Sequence, residues 1–141
     1  MIDLMNWRVC ERDFIKRVEP DRERIDSIKK MAIKRFEKLK RDKFKEDEIS
    51  FLVEGYYEVI KELLVAYLLK EGMRSKNHQC LITYFYKTHP ELENEVDLIG
   101  QMSFFRNRLG YYGEKVPEEF YNNRKGDFDK IVKILLNFIN E

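Results

Sequence analysis

The strongest helical segment of the chain reads DEISFLVEGYYEVIKELLVAYLLKE and covers residues 47–71. Its apolar side chains recur at spacings of three and four residues, which gathers them on one broad face of an α-helix. They are Phe51, Leu52, Tyr56, Val59, Ile60, Leu63, Leu64, Tyr67 and Leu68. A stripe this wide predicts the central, most buried helix of a bundle. Gly72 follows directly and suits the left-handed conformation that commonly ends a helix.

Weaker patterns on the N-terminal side and just after this segment predict further helices. Residues 4–17 form a first candidate, which ends before Pro20 because proline lacks the amide proton that a helix interior requires. A regular apolar spacing over residues 25–39 predicts a second, long helix. Ser75 or Asn77 is placed to cap a shorter helix after the central one.

The C-terminal third of the chain carries two more apolar patterns. Residues 94–109 predict a helix, and Gly110 is expected to loosen the chain at its end. Residues 117–140 carry the last apolar face, and Gly126 leaves open whether they form one helix or two. The fold class that follows is all-α, an antiparallel up-and-down bundle of about five helices.

Length and composition agree with one helical domain over residues 1–141. A chain of 141 residues is long enough to bury one core without disulfides or metal. Hydrophobic residues make up 43% and charged residues 38%, which is typical of strongly amphipathic helices. Six glycines and three prolines are too few for the many turns of a small β-sandwich.

Charge and cysteine usage bound the partners and the compartment. A net charge of +1 gives no overall attraction to nucleic acid or membrane, so binding to either requires a local patch. Cys10 and Cys80 lie far apart and outside any Cys-x-x-Cys pair, so we expect two reduced thiols packed on helices and no metal or cofactor. Charged residues interrupt the N-terminus before any signal-like apolar run, and no apolar stretch reaches the roughly 20 residues of a membrane span. These features predict a cytoplasmic protein without membrane contact.

The segment most suggestive of chemistry is RNRLGYYG, residues 106–113, at the end of the predicted 94–109 helix. On a helix, Tyr111 lies slightly more than one turn beyond Arg106, so a guanidinium and a phenol are presented together. Such a pair suits a phosphate group and a stacked base. The structural alternative is that Arg106 and Arg108 pair with carboxylates or complement the helix dipole, while the tyrosines cover the bundle end.

This segment resembles the signature of HEPN domains, in which an arginine and a polar residue are followed four to six positions later by a histidine. Arg106 and Asn107 match the first two positions, and Tyr111 occupies the place of the histidine. The form RNRLGYYG is similar to a prokaryotic, chiefly archaeal branch of the family. Residues 56–85 and 18–40 resemble other HEPN helices, so the resemblance extends over nearly the whole chain.

The resemblance implies a small set of functions. HEPN proteins include metal-independent ribonucleases and toxins that act as dimers, as well as noncatalytic partners of minimal nucleotidyltransferases and nucleotide-binding modules. Histidine transfers protons near neutral pH, whereas tyrosine, with an ordinary pKa near 10, is a poor general base. Tyr111 therefore favours a nucleotide- or RNA-binding or interaction module. Its implied partners are a second copy in a homodimer and a minimal nucleotidyltransferase in a toxin–antitoxin-type pair.

The alternative function is a metal-independent ribonuclease that uses Arg106 with Tyr111 in place of the usual histidine. The candidate catalytic residues are then Arg106, Asn107 and Tyr111. The candidate nucleotide- or RNA-binding residues are Arg106, Arg108, Tyr111 and Tyr112. A purely structural dimer is the remaining alternative.

The two histidines, a lysine strip and several aromatic residues offer alternatives to this site. His78 is expected to cap the helix that follows it, although the fold could bring it to the motif, and His89 beside Pro90 is expected to be structural. The basic residues Lys30, Lys34 and Lys38 line one strip at a spacing of four, which is more typical of a solvated helix face than of an RNA-binding surface. Trp7, Tyr56, Tyr57, Phe104 and Phe105 are expected to be core or dimer contacts.

Overall fold

A computed structural model describes residues 3–141 and contains, over that range, six α-helices and one sheet of two short strands. In chain order the elements are α1 (Trp7–Asp13), β1 (Ile15–Arg17), α2 (Arg22–Arg41), α3 (Ile49–Lys70), β2 (Met73–Ser75), α4 (His78–Thr88), α5 (Glu93–Tyr112) and α6 (Glu118–Asn140). One-turn 3-10 helices at Glu46–Glu48 and Pro90–Leu92 lead into α3 and α5.

Helix α3 is the centre of the bundle, as its apolar pattern predicts. It packs against α2, α4, α5 and α6. Val59, Ile60, Leu63 and Leu68 are fully buried, because α3 has neighbouring helices on several sides. Burying one such side chain stabilises the fold by about 1.5–3 kcal/mol. Phe51 is the exception within the predicted stripe, since it remains 56% exposed near the start of the helix.

Local signals fix the helix ends. The Asp21 carboxylate accepts a hydrogen bond from the Arg24 amide at 3.2 Å and so caps α2. Gly72 has a φ of 79° just beyond α3, which confirms the expected left-handed residue there. Gly113 has a φ of 62° and ends α5 in the same way. Helix α5 therefore continues through Gly110 to Tyr112, and the prediction that it ends at Leu109 was wrong.

The long helices alternate in direction. Leu39 packs beside Gly55 while Arg35 pairs with Glu62, so α2 and α3 are antiparallel. Helices α3 and α5 are antiparallel too, since the Val116 amide just after α5 donates to Ser50 and Arg106 pairs with Glu58. The all-α, up-and-down arrangement therefore describes the long helices.

Helix α4 departs from the antiparallel pattern. Its first residue, His78, lines the same cavity as Tyr57, and Thr88 at its end lies 3.1 Å from the Tyr67 hydroxyl. Helix α4 thus runs in the same sense as α3. The cause is β2, whose extended backbone carries the chain back along the bundle before α4 begins.

The N-terminal segment is a second departure. Residues 4–17 do not form one helix, because α1 ends at Asp13 and β1 pairs antiparallel with β2, with Lys16 opposite Arg74. Cys10 and Cys80 form a disulfide with a Cα–Cα distance of 5.6 Å, so the expectation of two reduced thiols was wrong. A separation of 70 residues hid this pairing from any local pattern.

Helix α6 is not interrupted at Gly126. It is one continuous helix over Glu118–Asn140, and a Cβ at Gly126 would meet no atom within 4 Å. Over residues 3–141 the fold therefore has six α-helices and two short strands, where the sequence predicted a bundle of about five helices. None of the helices within residues 3–141 is both long and apolar enough to cross a membrane.

Candidate functional site

The sequence motif borders a polar cavity of about 280 Å³ between the middle of α3, the start of α4 and the end of α5. We call it the Arg106 cavity. Its lining residues are Tyr57, Lys76, Asn77, His78, Gln79, Ser103, Arg106, Asn107 and Tyr111. Hydrogen-bonding groups predominate in this set, and the cavity opens to solvent.

Arg106 projects from α5 with hydrogen-bonding capacity to spare. One terminal nitrogen lies 3.4 Å from the Glu58 carboxylate, and the other lies 3.5 Å from the Asn107 side-chain oxygen. Both distances are long for charge-assisted hydrogen bonds, which are usually about 2.7–2.9 Å. The Nε atom is buried and has no hydrogen-bond partner within residues 3–141. The guanidinium is therefore positioned by α5 but not saturated.

Glu58 links two cations from α3 and α5. Its carboxylate accepts from Lys61 at 2.7 Å as well as from Arg106. Glu58 and Lys61 lie one turn apart on the same face of α3, so their pairing follows from the helix period. The cavity lining itself therefore carries the cations Arg106 and Lys76, and the Glu58–Lys61 pair lies beside it in contact with Arg106.

His78 reaches this cavity because β2 returns the chain along α3. Asn77 caps α4 by accepting a hydrogen bond from the Gln79 amide at 2.8 Å, which confirms one of the two predicted caps, whereas His78 is the first residue of the helix and not its cap. His78 is exposed at the cavity rim, yet partial burial of its ring lowers its pKa. Lys61 and Arg106 lower that pKa further, while Glu58 opposes them. At neutral pH the imidazole is therefore uncharged and able to accept a proton.

A buried polar group lies behind the cavity. Ser103 of α5 is 3% exposed and its hydroxyl accepts a hydrogen bond from the Gln79 side-chain amide at 2.8 Å. Tyr57 is 4% exposed, and burial raises the pKa of its phenol, while Ser103 and Arg106 favour the ionised form. The Gln79–Ser103 bond fastens the first turn of α4 to α5.

The structure divides the five residues proposed from the motif into two groups. Arg106, Asn107 and Tyr111 border the cavity, with Tyr111 at its rim and 77% exposed. Arg108 and Tyr112 do not line it. The Arg108 guanidinium instead pairs with Glu114 and lies 4.6 Å from the centre of the Tyr112 ring.

Beside the cavity, α5 presents an aromatic strip that consists of Phe104, Tyr111 and Tyr112. These three side chains are 54%, 77% and 71% exposed. Their spacing of seven and eight residues places them on one side of the helix. Of the aromatic residues expected to be core or dimer contacts, Tyr56 and Tyr57 lie in the core, whereas Phe104 faces solvent and its role as a dimer contact stays a prediction.

The sequence motif did not contain the residues that α3 and α4 bring to the cavity. These are Tyr57, His78 and Gln79, joined by Lys76 and Asn77 just before α4, while Glu58 contacts Arg106 without lining the cavity. The charged pair Glu58 and Lys61 carried a weak signal, since it interrupts the otherwise apolar central helix. No local pattern shows that α4 begins beside the middle of α3.

The alternative sites have different environments. Lys30, Lys34 and Lys38 are exposed on α2, and Lys38 pairs with Asp42 at 2.8 Å. His89 stacks on Phe138 with ring centres 4.0 Å apart and lies 3.1 Å from the Tyr67 hydroxyl, so its surroundings are structural. Within residues 3–141, no group of three or more His, Cys, Asp or Glu side chains is arranged to hold a metal ion.

Comparisons with protein-family models, with curated proteins and with solved structures gave no significant match to this chain. The resemblance to HEPN domains therefore stays a prediction.

Proposed function

We propose that this domain binds a phosphate group of a nucleotide or RNA strand in the Arg106 cavity. The observation that carries the proposal is the Arg106 guanidinium, whose contacts are long and whose buried Nε is unpartnered. A guanidinium offers five N–H donors in a planar fork that matches two phosphate oxygens. A phosphate in the cavity would bond to the terminal nitrogens of Arg106, whose contacts within the protein are long.

The surroundings of Arg106 suit an anion. Lys76 and His78 lie on the same rim, and the first turn of α4 points its N-terminal end toward the cavity lining. The partial positive charge of a helix N-terminus and nearby cations together attract anions. Glu58 is the opposing charge, and a phosphate would compete with it for Arg106.

The aromatic strip supports a nucleotide or RNA strand over a simple anion. Tyr111 lies at the cavity rim and Tyr112 follows it on the exposed side of α5. A base stacked on an exposed aromatic ring contributes about 1–3 kcal/mol to binding. The same strip also supports a protein contact, because aromatic residues are enriched at protein interfaces. The partner would be a second copy in a homodimer or a minimal nucleotidyltransferase.

Titration with adenosine 5′-monophosphate and with a short single-stranded RNA, followed by NMR or calorimetry, tests this function. Arg106→Gln should weaken binding about 10- to 100-fold, since a hydrogen bond to a charged group contributes about 1.5–3 kcal/mol. Arg124→Gln is the matched control, because Arg124 lies on α6 and pairs with Asp127 at 3.0 Å away from the cavity. Equal effects of the two substitutions would refute the Arg106 site.

A second candidate function, a metal-independent ribonuclease, is favoured by the presence of His78 in the same cavity as Arg106. Neutral His78 would accept the proton of an RNA 2′-hydroxyl, whose oxygen then bonds to the adjacent phosphorus. Arg106 would stabilise the developing charge on the phosphate oxygens. The 5′-oxygen leaves and takes a proton from water, giving a 2′,3′-cyclic phosphate and a 5′-hydroxyl end, and His78 then releases the proton it accepted to solvent.

Cleavage of RNA in EDTA distinguishes this enzyme from the binding module. Loss of cleavage in His78→Gln and in Arg106→Ala, with RNA binding retained by His78→Gln, would establish the ribonuclease. Loss in Tyr111→Phe but not in His78→Gln would assign the proton transfer to Tyr111 instead. Binding without cleavage by the wild-type protein would leave the binding module as the function.

A further inference from the structure

The Cys10–Cys80 disulfide joins the N-terminal segment to the rim of the Arg106 cavity. Cys80 belongs to the first turn of α4, two residues after His78. Both cysteines are 0% exposed, and they are the only cysteines in the chain. The disulfide is therefore the one covalent crosslink available to this protein, and it acts on the turn that carries His78.

The segment on the other side of the disulfide holds the same part of the fold. We call residues 3–18 the N-terminal clamp. Its noncovalent contacts include a hydrogen bond from the Thr83 hydroxyl to the Met5 carbonyl at 2.9 Å and the packing of Trp7 on Tyr84 of α4, with ring centres 5.2 Å apart. Strand β1 of the clamp pairs with β2, which leads into α4. The clamp thus contacts both elements that place His78.

Leu81 and Ile82 anchor α4 in the core, but residues 77–79, which precede Cys80, are held by modest interactions apart from the clamp. The helix cap is internal to residues 77–79, and the Gln79 side chain contributes one hydrogen bond, at 2.8 Å, to Ser103 of α5. Helix ends with few tertiary bonds open locally at low free energy. The disulfide removes that freedom because Cys80 cannot leave the position of Cys10.

We propose that the Cys10–Cys80 disulfide is a redox control of the Arg106 cavity. In the disulfide form, the first turn of α4 is fixed and His78 and Gln79 complete the cavity rim. In the dithiol form, the turn opens more often and the cavity binds phosphate more weakly. This regulation rests on the phosphate-binding function proposed above.

The reductant is a dithiol of low molecular weight or a dithiol protein. One of its thiolates attacks a cysteine Sγ and forms a mixed disulfide, and the other cysteine leaves as a thiolate. The second thiol of the reductant then displaces the remaining cysteine and closes its own disulfide. Two electrons pass to the cysteines, and both thiolates take up protons from water. Because the sulfurs are buried, the exchange requires prior opening of the clamp.

Two measurements on the purified full chain test the control. Amide hydrogen exchange over residues 78–82 reports the opening of the α4 turn without any ligand. Titration with inorganic phosphate measures the phosphate affinity of the Arg106 cavity. Both are made on the wild-type protein before and after dithiothreitol treatment, with alkylation and mass spectrometry to count free thiols. Cys10→Ser reproduces the uncrosslinked form, and dithiothreitol should not change it further.

The expected result is faster exchange in the α4 turn after reduction, together with phosphate affinity about fivefold weaker, close to the contribution of one hydrogen bond. Hydrogen exchange that does not change on reduction would refute the redox control, and so would faster exchange with unchanged phosphate affinity. Free thiols in the air-oxidised protein would refute it as well. Failure of the oxidised protein to bind phosphate at all would refute the proposed function itself. The hydrogen-exchange rates separate the two failures, because they report whether the disulfide holds the α4 turn even when phosphate does not bind.

Discussion

Replacing Glu58 with glutamine should raise the affinity of the Arg106 cavity for inorganic phosphate. Glu58 accepts from Arg106 at 3.4 Å and from Lys61 at 2.7 Å, so its carboxylate already neutralises cations that a phosphate needs. Glutamine keeps the shape of the side chain and one acceptor oxygen, removes the charge and replaces the other oxygen with an NH2 donor. The substitution therefore isolates the competition between the carboxylate and the ligand.

The Arg106–Glu58 distance and the exposure of the two side chains determine the expected gain in phosphate affinity. Two unit charges 3.4 Å apart interact by about 1 kcal/mol at the dielectric constant of water and by about 5 kcal/mol at an effective value near 20. The side chains of Arg106 and Glu58 are 35% and 28% exposed, so solvent screening brings the net value toward the 0.2–1 kcal/mol typical of exposed pairs. A gain of about 1 kcal/mol corresponds to about fivefold tighter phosphate binding.

Glu62→Gln is the matched control. Glu62 lies one turn further along α3 and changes the net charge equally, but it pairs with Arg35 of α2 at 2.9 Å. Calorimetry or NMR titration at low ionic strength should show tighter binding for Glu58→Gln and almost none of that gain for Glu62→Gln. Equal gains would mean that net charge alone governs binding. Weaker binding by Glu58→Gln would refute the competition between Glu58 and phosphate.

Three further predictions concern protonation, helix continuity and the core. Sulfate, whose charge is constant near neutral pH, should bind more tightly as the pH falls from about 7.5 to 5.5, because His78 has a lowered pKa and must gain a proton to attract the anion. An NMR titration should show this slope in the wild type and its loss in His78→Gln. Gly126→Ala should raise the free energy of unfolding by about 1 kcal/mol in urea denaturation, since the site is helical and open; destabilisation would contradict a continuous α6. Phe128→Ala should lower that free energy by about 3–5 kcal/mol, because the ring is fully buried against Tyr56; a loss below about 1 kcal/mol would contradict its core position.

Periodicity was sufficient for most of the helices. Helix α3 could be predicted because its apolar residues are packed on several sides, and α2 because one apolar face repeats over about four turns. The end of α5 was missed because Gly110 has ordinary helical geometry here, and a single glycine reduces helix stability by only about 1 kcal/mol. Strands β1 and β2 have three residues each, too few for an alternating pattern to be recognised.

The candidate site was predictable only where it is local in sequence. Arg106, Asn107 and Tyr111 lie within two turns of α5, so helix spacing alone brought them together. His78 and Glu58 come from other elements, and their meeting depends on the direction of α4, which no residue pattern encodes. The Cys10–Cys80 pairing is of the same kind, since it joins residues 70 positions apart.

The return segment between α3 and α4 has a consequence for insertions and deletions. An extended residue advances about 3.3 Å and a helical residue only about 1.5 Å, so the five steps from Gly72 to Asn77 span about as far as eleven helical residues. Removing one residue there would shift the start of α4 by about 3.3 Å and turn the β2 side chains to the opposite face. The length of this segment, more than its composition, thus determines whether a histidine and an arginine meet. Among related chains, we expect this segment to keep its number of residues and the exposed residues Arg74 and Lys76 to vary in identity, while Gly72 and Asn77 keep their turn and capping roles.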